Sequence, residues 1–84
     1  MTFNKENPLN AQINNVIIHD KRLRRLGARN GRSWMVYNKG PDNVTVNIPD
    51  EIFLLACGVV KFFYAQPVVK GLPGTNLVVT TFPK

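Results

Sequence analysis

Between Lys21 and Lys39 the chain carries seven positive charges and no acid: Lys21, Arg22, Arg24, Arg25, Arg29, Arg32 and Lys39. All five arginines fall within the stretch Arg22 to Arg32. The net charge of +6 belongs to this segment, because the remainder holds four basic residues against five acidic ones. Such clustering repels itself and is costly to a fold unless a polyanion screens it. Arginine presents a planar fork of donors that suits phosphate, and it stacks on bases, so a ligand of repeated phosphates matches the cluster.

The rest of the sequence bounds what can carry that segment. With 84 residues the chain is one domain. A chain this short buries only about 60 % of its unfolded surface, so a second subunit would help to close its core. The hydrophobic share of 44 % fits a globular protein rather than a disordered tail. The longest apolar stretch, Ile52 to Ala65, is interrupted by Gly58 and Lys61, and no membrane partner is expected. The start of the chain lacks the charged-then-apolar layout of a signal peptide, so a cytoplasmic location is expected, in a host cell if the source is viral. One cysteine, Cys57, excludes an intrachain disulfide and a multi-cysteine zinc site. His19 is the only histidine. No nucleophile–base pair stands out, so neither enzymatic activity nor a cofactor is expected.

Along the chain, residues 1–10 read as a polar terminal arm and residues 11–84 as a single domain. Ala11 to His19 reads as a first strand on its β-branched run Val16-Ile17-Ile18. Asn30-Gly31 is a two-residue hairpin turn signal. After it, Arg32 to Asn38 alternates, with Trp34, Val36 and Asn38 on one face and Met35 and Tyr37 on the other. Residues 20–38 therefore read as a projecting basic β-hairpin. Asn43 to Ile48 alternates cleanly, with Val44, Val46 and Ile48 facing one way. Pro49-Asp50-Glu51 has the chemistry of a helix start, and Ile52 to Cys57 reads as a short helical continuation ended by Gly58. Val59 to Ala65 and Asn76 to Phe82 read as the last two strands. The expected fold is mainly β: five strands in a small barrel, one short helical turn and the basic hairpin.

The aromatics divide by position. Trp34 and Tyr37 lie among the basic residues, as a single-strand binder needs: charge follows the backbone while flat side chains stack on unpaired bases. Their opposite facing puts one of them inward and the other outward. Phe62, Phe63 and Tyr64 run consecutively, which reads as core on one face and a subunit interface on the other. Cys57 reads as an inert small hydrophobe, and Asp50-Glu51 as capping acids rather than a catalytic dyad.

Two local patterns resemble the small single-stranded-DNA-binding (helix-destabilising) proteins of filamentous phages. One is Arg29-Asn30-Gly31-Arg32-Ser33-Trp34, similar to the Arg-x-Gly-Lys/Arg-x-aromatic pattern at the tip of that family's DNA-binding wing. The other is Ala56-Cys57-Gly58 followed by Val69-Lys70-Gly71-Leu72-Pro73-Gly74-Thr75-Asn76-Leu77, similar to the family's Ala-x-Gly, Gly-x-x-Gly turn and apolar last strand. The resemblance spans residues 16–84; the arginines before the tip are denser than in the family, and the polar start is extra. It implies an OB-like five-stranded barrel and a homodimer that coats single-stranded DNA cooperatively during phage DNA replication. It also implies wing-tip roles for Arg29, Arg32 and Trp34. Arg22, Arg24 and Arg25 would follow on the incoming arm by charge alone.

The expected function is a sequence-tolerant, non-enzymatic single-stranded nucleic-acid binder using Lys21, Arg22, Arg24, Arg25, Arg29, Arg32, Trp34, Tyr37 and Lys39. The alternatives are a small RNA-binding protein, since the 2′-hydroxyl leaves no trace in a protein sequence, or a virion structural protein whose basic hairpin touches the genome.

Overall fold

The first strand, β1 (Gln12–Ile17), leads through a bend at residues 20–22 into a two-residue strand, β2 (Arg24–Arg25). Then come β3 (Gly31–Gly40), β4 (Val44–Ile48), β5 (Glu51–Leu55), β6 (Val60–Phe63), β7 (Val68–Gly71) and β8 (Asn76–Pro83). The structure is a computed structural model that describes residues 11–83; the polar arm, residues 1–10, lies outside the described residues. Among the described residues there is no helix. The strands form two four-stranded antiparallel sheets, β1-β8-β3-β6 (sheet A) and β2-β7-β4-β5 (sheet B).

Alternation decides which side chains meet between the sheets. From sheet A, Trp34, Val36, Phe63, Leu77 and Val79 point inward; from sheet B, Val44, Val46, Leu55 and Val69 do. Ile18 and Leu26, from the connections, complete this core. Asn38 shares the inward face of β3 and is fully buried. Its Nδ2 donates to the carbonyls of Asp42 (2.8 Å) and Leu55 (2.9 Å), and its Oδ1 accepts from the Gly40 N–H (2.7 Å). The amide satisfies three backbone groups where β3 turns toward β4, so a buried polar residue is tolerated there.

All five expected strands are present, as β1, β3, β4, β6 and β8, but the five-stranded barrel is not. Three further strands, β2, β5 and β7, build a second sheet, and the two sheets do not close into a barrel. Beside the open edges of β5 and β6, side chains make the join instead of a ladder. Phe53 meets Phe63 edge-on at 5.8 Å, and the Lys61 ammonium sits 4.4 Å from the Phe53 ring centroid.

The helical turn expected after Pro49 is also absent. Pro49 and Asp50 form a tight turn, and Glu51–Leu55 returns as β5. The hairpin sets Phe53 opposite Val46 and Leu55 opposite Val44, burying Leu55. A helix of under two turns is marginal in water, and the hairpin gains both a ladder and apolar burial.

The projecting hairpin over residues 20–38 is corrected as well. Its two halves go to different sheets: Arg24 and Arg25 pair with Val69 and Val68 of β7, while β3 runs between β8 and β6. Leu26 and Trp34 are the cause, because a projecting hairpin would leave both in water. Leu26 is fully buried, which contributes about 2 kcal/mol, and its N–H donates to the Pro67 carbonyl at 2.9 Å. The chain then turns at Gly27, whose φ of 76° lies in the left-handed region. Gly31, expected to serve a hairpin turn by its backbone freedom, serves by its size. A Cβ there would stand 2.5 Å from Thr81 Cγ2 and 3.2 Å from Trp34 Cζ2.

Candidate nucleic-acid interface

Burying Leu26 fixes the residues before it as the edge strand of sheet B, and alternation then distributes their side chains. Lys21, Arg22, Arg24 and Arg25 are all exposed. The Arg22 N–H donates to Asp20 Oδ1 at 2.9 Å, an Asx-type turn that shapes the approach to β2. Arg22 and Arg24 border a small cleft of about 110 Å³ with His19, Asp20 and Val69. Arg25, one residue on, stands in register with Val68 on the opposite side of the strand.

The seven cations, contiguous in sequence, separate into three groups. Lys21, Arg22, Arg24 and Arg25 line the edge of sheet B. Arg29, in the turn, and Arg32, at the irregular start of β3, are exposed beside the end of β8. Lys39 is exposed at the far end of β3, about 23 Å along the strand from Arg32 at 3.3 Å per residue.

Of the two stacking candidates, the structure removes one. Trp34 is 4 % exposed, and its Nε1 donates to the Ala28 carbonyl at 3.0 Å. A ring held between the sheets offers no face to a base. Tyr37 is 39 % exposed on the outward face of β3, between Val60 and Val78 of the neighbouring strands. That outward face of sheet A is mostly apolar, with Ile13, Ile17, Tyr37, Val60 and Phe62 exposed and Asn15 among them. Phe62 stacks on Phe82 with ring centroids 6.1 Å apart.

Sequence reasoning passed over Lys70, an exposed cation on β7 beside the cationic edge. Its signal was the β-branched pair Val68-Val69 just before it, obscured by the prolines and glycines on either side, which read as a connection. Among the described residues no three His, Cys, Asp or Glu side chains come together as a metal site requires. No helix among them is long and apolar enough to cross a membrane. Comparison with known protein families, with characterised proteins and with solved structures finds no match to this chain.

Proposed function

We propose that this chain is a non-enzymatic, sequence-tolerant single-stranded nucleic-acid-binding protein, acting on single-stranded DNA in phage DNA replication. One observation carries the reading: Lys21, Arg22, Arg24 and Arg25 are exposed together on a strand edge that the buried Leu26 holds in place, with Lys70 on the next strand. Guanidinium groups pair with phosphate through a planar fork of donors, and the cluster has few acids to compete for them.

The proposal includes a homodimer formed through the outward face of sheet A. Ile13, Ile17, Tyr37, Val60 and Phe62 lie on that face, and all are exposed. Covering it with the same face of a second copy would bury about 1,000 Å² in total, the lower bound for a specific interface. Such packing leaves the cations of sheet B free on both copies.

Fluorescence anisotropy with a labelled thymidine oligonucleotide, a matched RNA and a duplex, each over a salt series, tests the function. Four or five phosphate contacts on a single strand give a slope of log K against log salt near about −3. A slope near zero overturns the polyanion reading, and tighter binding of duplex than of either single strand overturns the single-strand preference. Tighter binding of the RNA than of the DNA oligonucleotide would assign the protein to RNA.

A further inference from the structure

Sheet B turns its second face to solvent, and the two edges of that face differ in character. Arg25, Val68, Asn47 and Ile52 lie in register across its four strands. Lys70, Thr45 and Leu54 form the neighbouring row across β7, β4 and β5. Arg25 and Lys70, with Val68 beside them, lie on the β2–β7 side, amide and hydroxyl groups in the middle, and aliphatic side chains on the β5 edge. Ile52 is 71 % and Leu54 69 % exposed, high values for large apolar residues on a regular strand.

Two shallow depressions mark this face. One, of about 380 Å³, is lined by Lys21, Asn43, Thr45, Lys70 and Leu72. The other, of about 390 Å³, is lined by Leu23, Asn47, Pro49, Gln66 and Val68. Each combines a side-chain amide with an apolar wall. Asn43 and Asn47 are separated by about 13 Å of extended chain, so the two depressions lie side by side along β4.

We infer that this face holds successive bases of a bound single strand. Lys21, Arg25 and Lys70 take its phosphates, Asn43, Thr45 and Asn47 meet the edges of the bases, and Leu54 and Ile52 cover base faces. The inference rests on the nucleic-acid reading above and deepens it by placing the bases. Together the cations, the central amides and hydroxyl, and the aliphatic side chains supply the three contacts a nucleotide offers: phosphate charge, base-edge hydrogen bonding and ring-face cover. A lipid surface fits less well, because it would strip water from the central amides and hydroxyl without replacing their hydrogen bonds.

The test compares a thymidine oligonucleotide with an abasic strand of equal length, using the full chain. The parent should bind the thymidine strand at least about tenfold more tightly than the abasic one. The double variant Ile52→Ser/Leu54→Ser should lose about tenfold on the thymidine strand and nothing on the abasic strand, with an unchanged salt slope. Lys70→Ala should weaken both strands alike. Circular dichroism confirms that each variant is folded. If folded Ile52→Ser/Leu54→Ser binds thymidine as the parent does, while Arg22→Ala/Arg24→Ala weakens it, the bases lie elsewhere and only this inference falls. If the parent binds neither strand, the functional reading itself falls. Binding to phosphatidylglycerol vesicles that the Ile52→Ser/Leu54→Ser variant loses, without any thymidine preference in the parent, would reassign the face to lipid.

Discussion

Trp34 Nε1 donates to the Ala28 carbonyl at 3.0 Å, across the turn at Arg29 and Asn30. The bond ties the start of β3 to the segment arriving from β2, and the indole fills space left by Gly27 and Gly31. The aromatic nearest the arginines therefore holds the cationic edge in position rather than contacting a ligand itself. Trp34→Ala should cost about 3–5 kcal/mol of stability, and Trp34→Phe, which strands the Ala28 carbonyl, about 1–3 kcal/mol. Urea denaturation measures both. Oligonucleotide affinity per folded molecule should match the parent in the Phe variant, and a large loss there would return Trp34 to the binding surface.

Arg22→Ala/Arg24→Ala/Arg25→Ala should weaken single-strand binding and flatten the salt slope by roughly 0.7 for each of the three that meets a phosphate. Exposed side chains on an edge strand contribute little to the core, so the thermal transition should stay close to the parent's. Arg29→Ala/Arg32→Ala, altering a separate group, should have the smaller effect. Equal losses in both variants would mean that the strand spans both groups.

Asn38→Ala should cost about 3 kcal/mol, since it strands the carbonyls of Asp42 and Leu55 and the Gly40 N–H away from water. Asn38→Leu should be no better, because it replaces one partner of each hydrogen bond and leaves the other. A loss below about 1 kcal/mol by chemical denaturation would show that water reaches this site.

Gly27 and Gly74 both take positive φ, 76° and 95°, but their surroundings differ. A Cβ at Gly74 meets nothing within 4 Å, whereas one at Gly27 collides with Thr81 Oγ1 and comes within 2.6 Å of Trp34 Cδ1. Gly74→Ala should therefore cost about 1–2 kcal/mol from backbone strain alone. Gly27→Ala should cost clearly more. Equal melting temperatures for the two variants would contradict the packing around Trp34.

Phe62→Glu should convert the proposed dimer into a monomer in sedimentation velocity, with its circular dichroism unchanged. It places a charge in the middle of an apolar face whose covering would leave that charge without water. A parent that already sediments as a monomer would refute the sheet A interface.

What could be read from the sequence depended on the range of the interactions involved. The alternation in β3 was legible, including Asn38 on the same side as Trp34 and Val36, and so was the inward run Val44, Val46, Ile48. Which of Trp34 and Tyr37 faced the core was not, because parity sorts residues into two faces without naming the buried one. β2 was invisible for a different reason. It is two residues long and pairs with residues more than forty positions away, and only that pairing makes it a strand. β5 was misread because Ile52 and Leu54 are apolar yet exposed, which erases the polar half of the alternation, while Pro49-Asp50-Glu51 supplies helix-start chemistry. The two side chains that misled the fold reading are those proposed as cover for bases.

Two ladder pairs and a single leucine attach β2 to the rest of the molecule. By that measure the cationic strand is the most weakly anchored element of sheet B, and its amides should exchange with solvent deuterium well before those of β4, which is paired on both sides. A polyanion gripping the arginines would slow that opening, so occupancy would register as protection of backbone hydrogens in residues 22–26. The strand proposed to meet the ligand is thus also the one whose opening that ligand would slow.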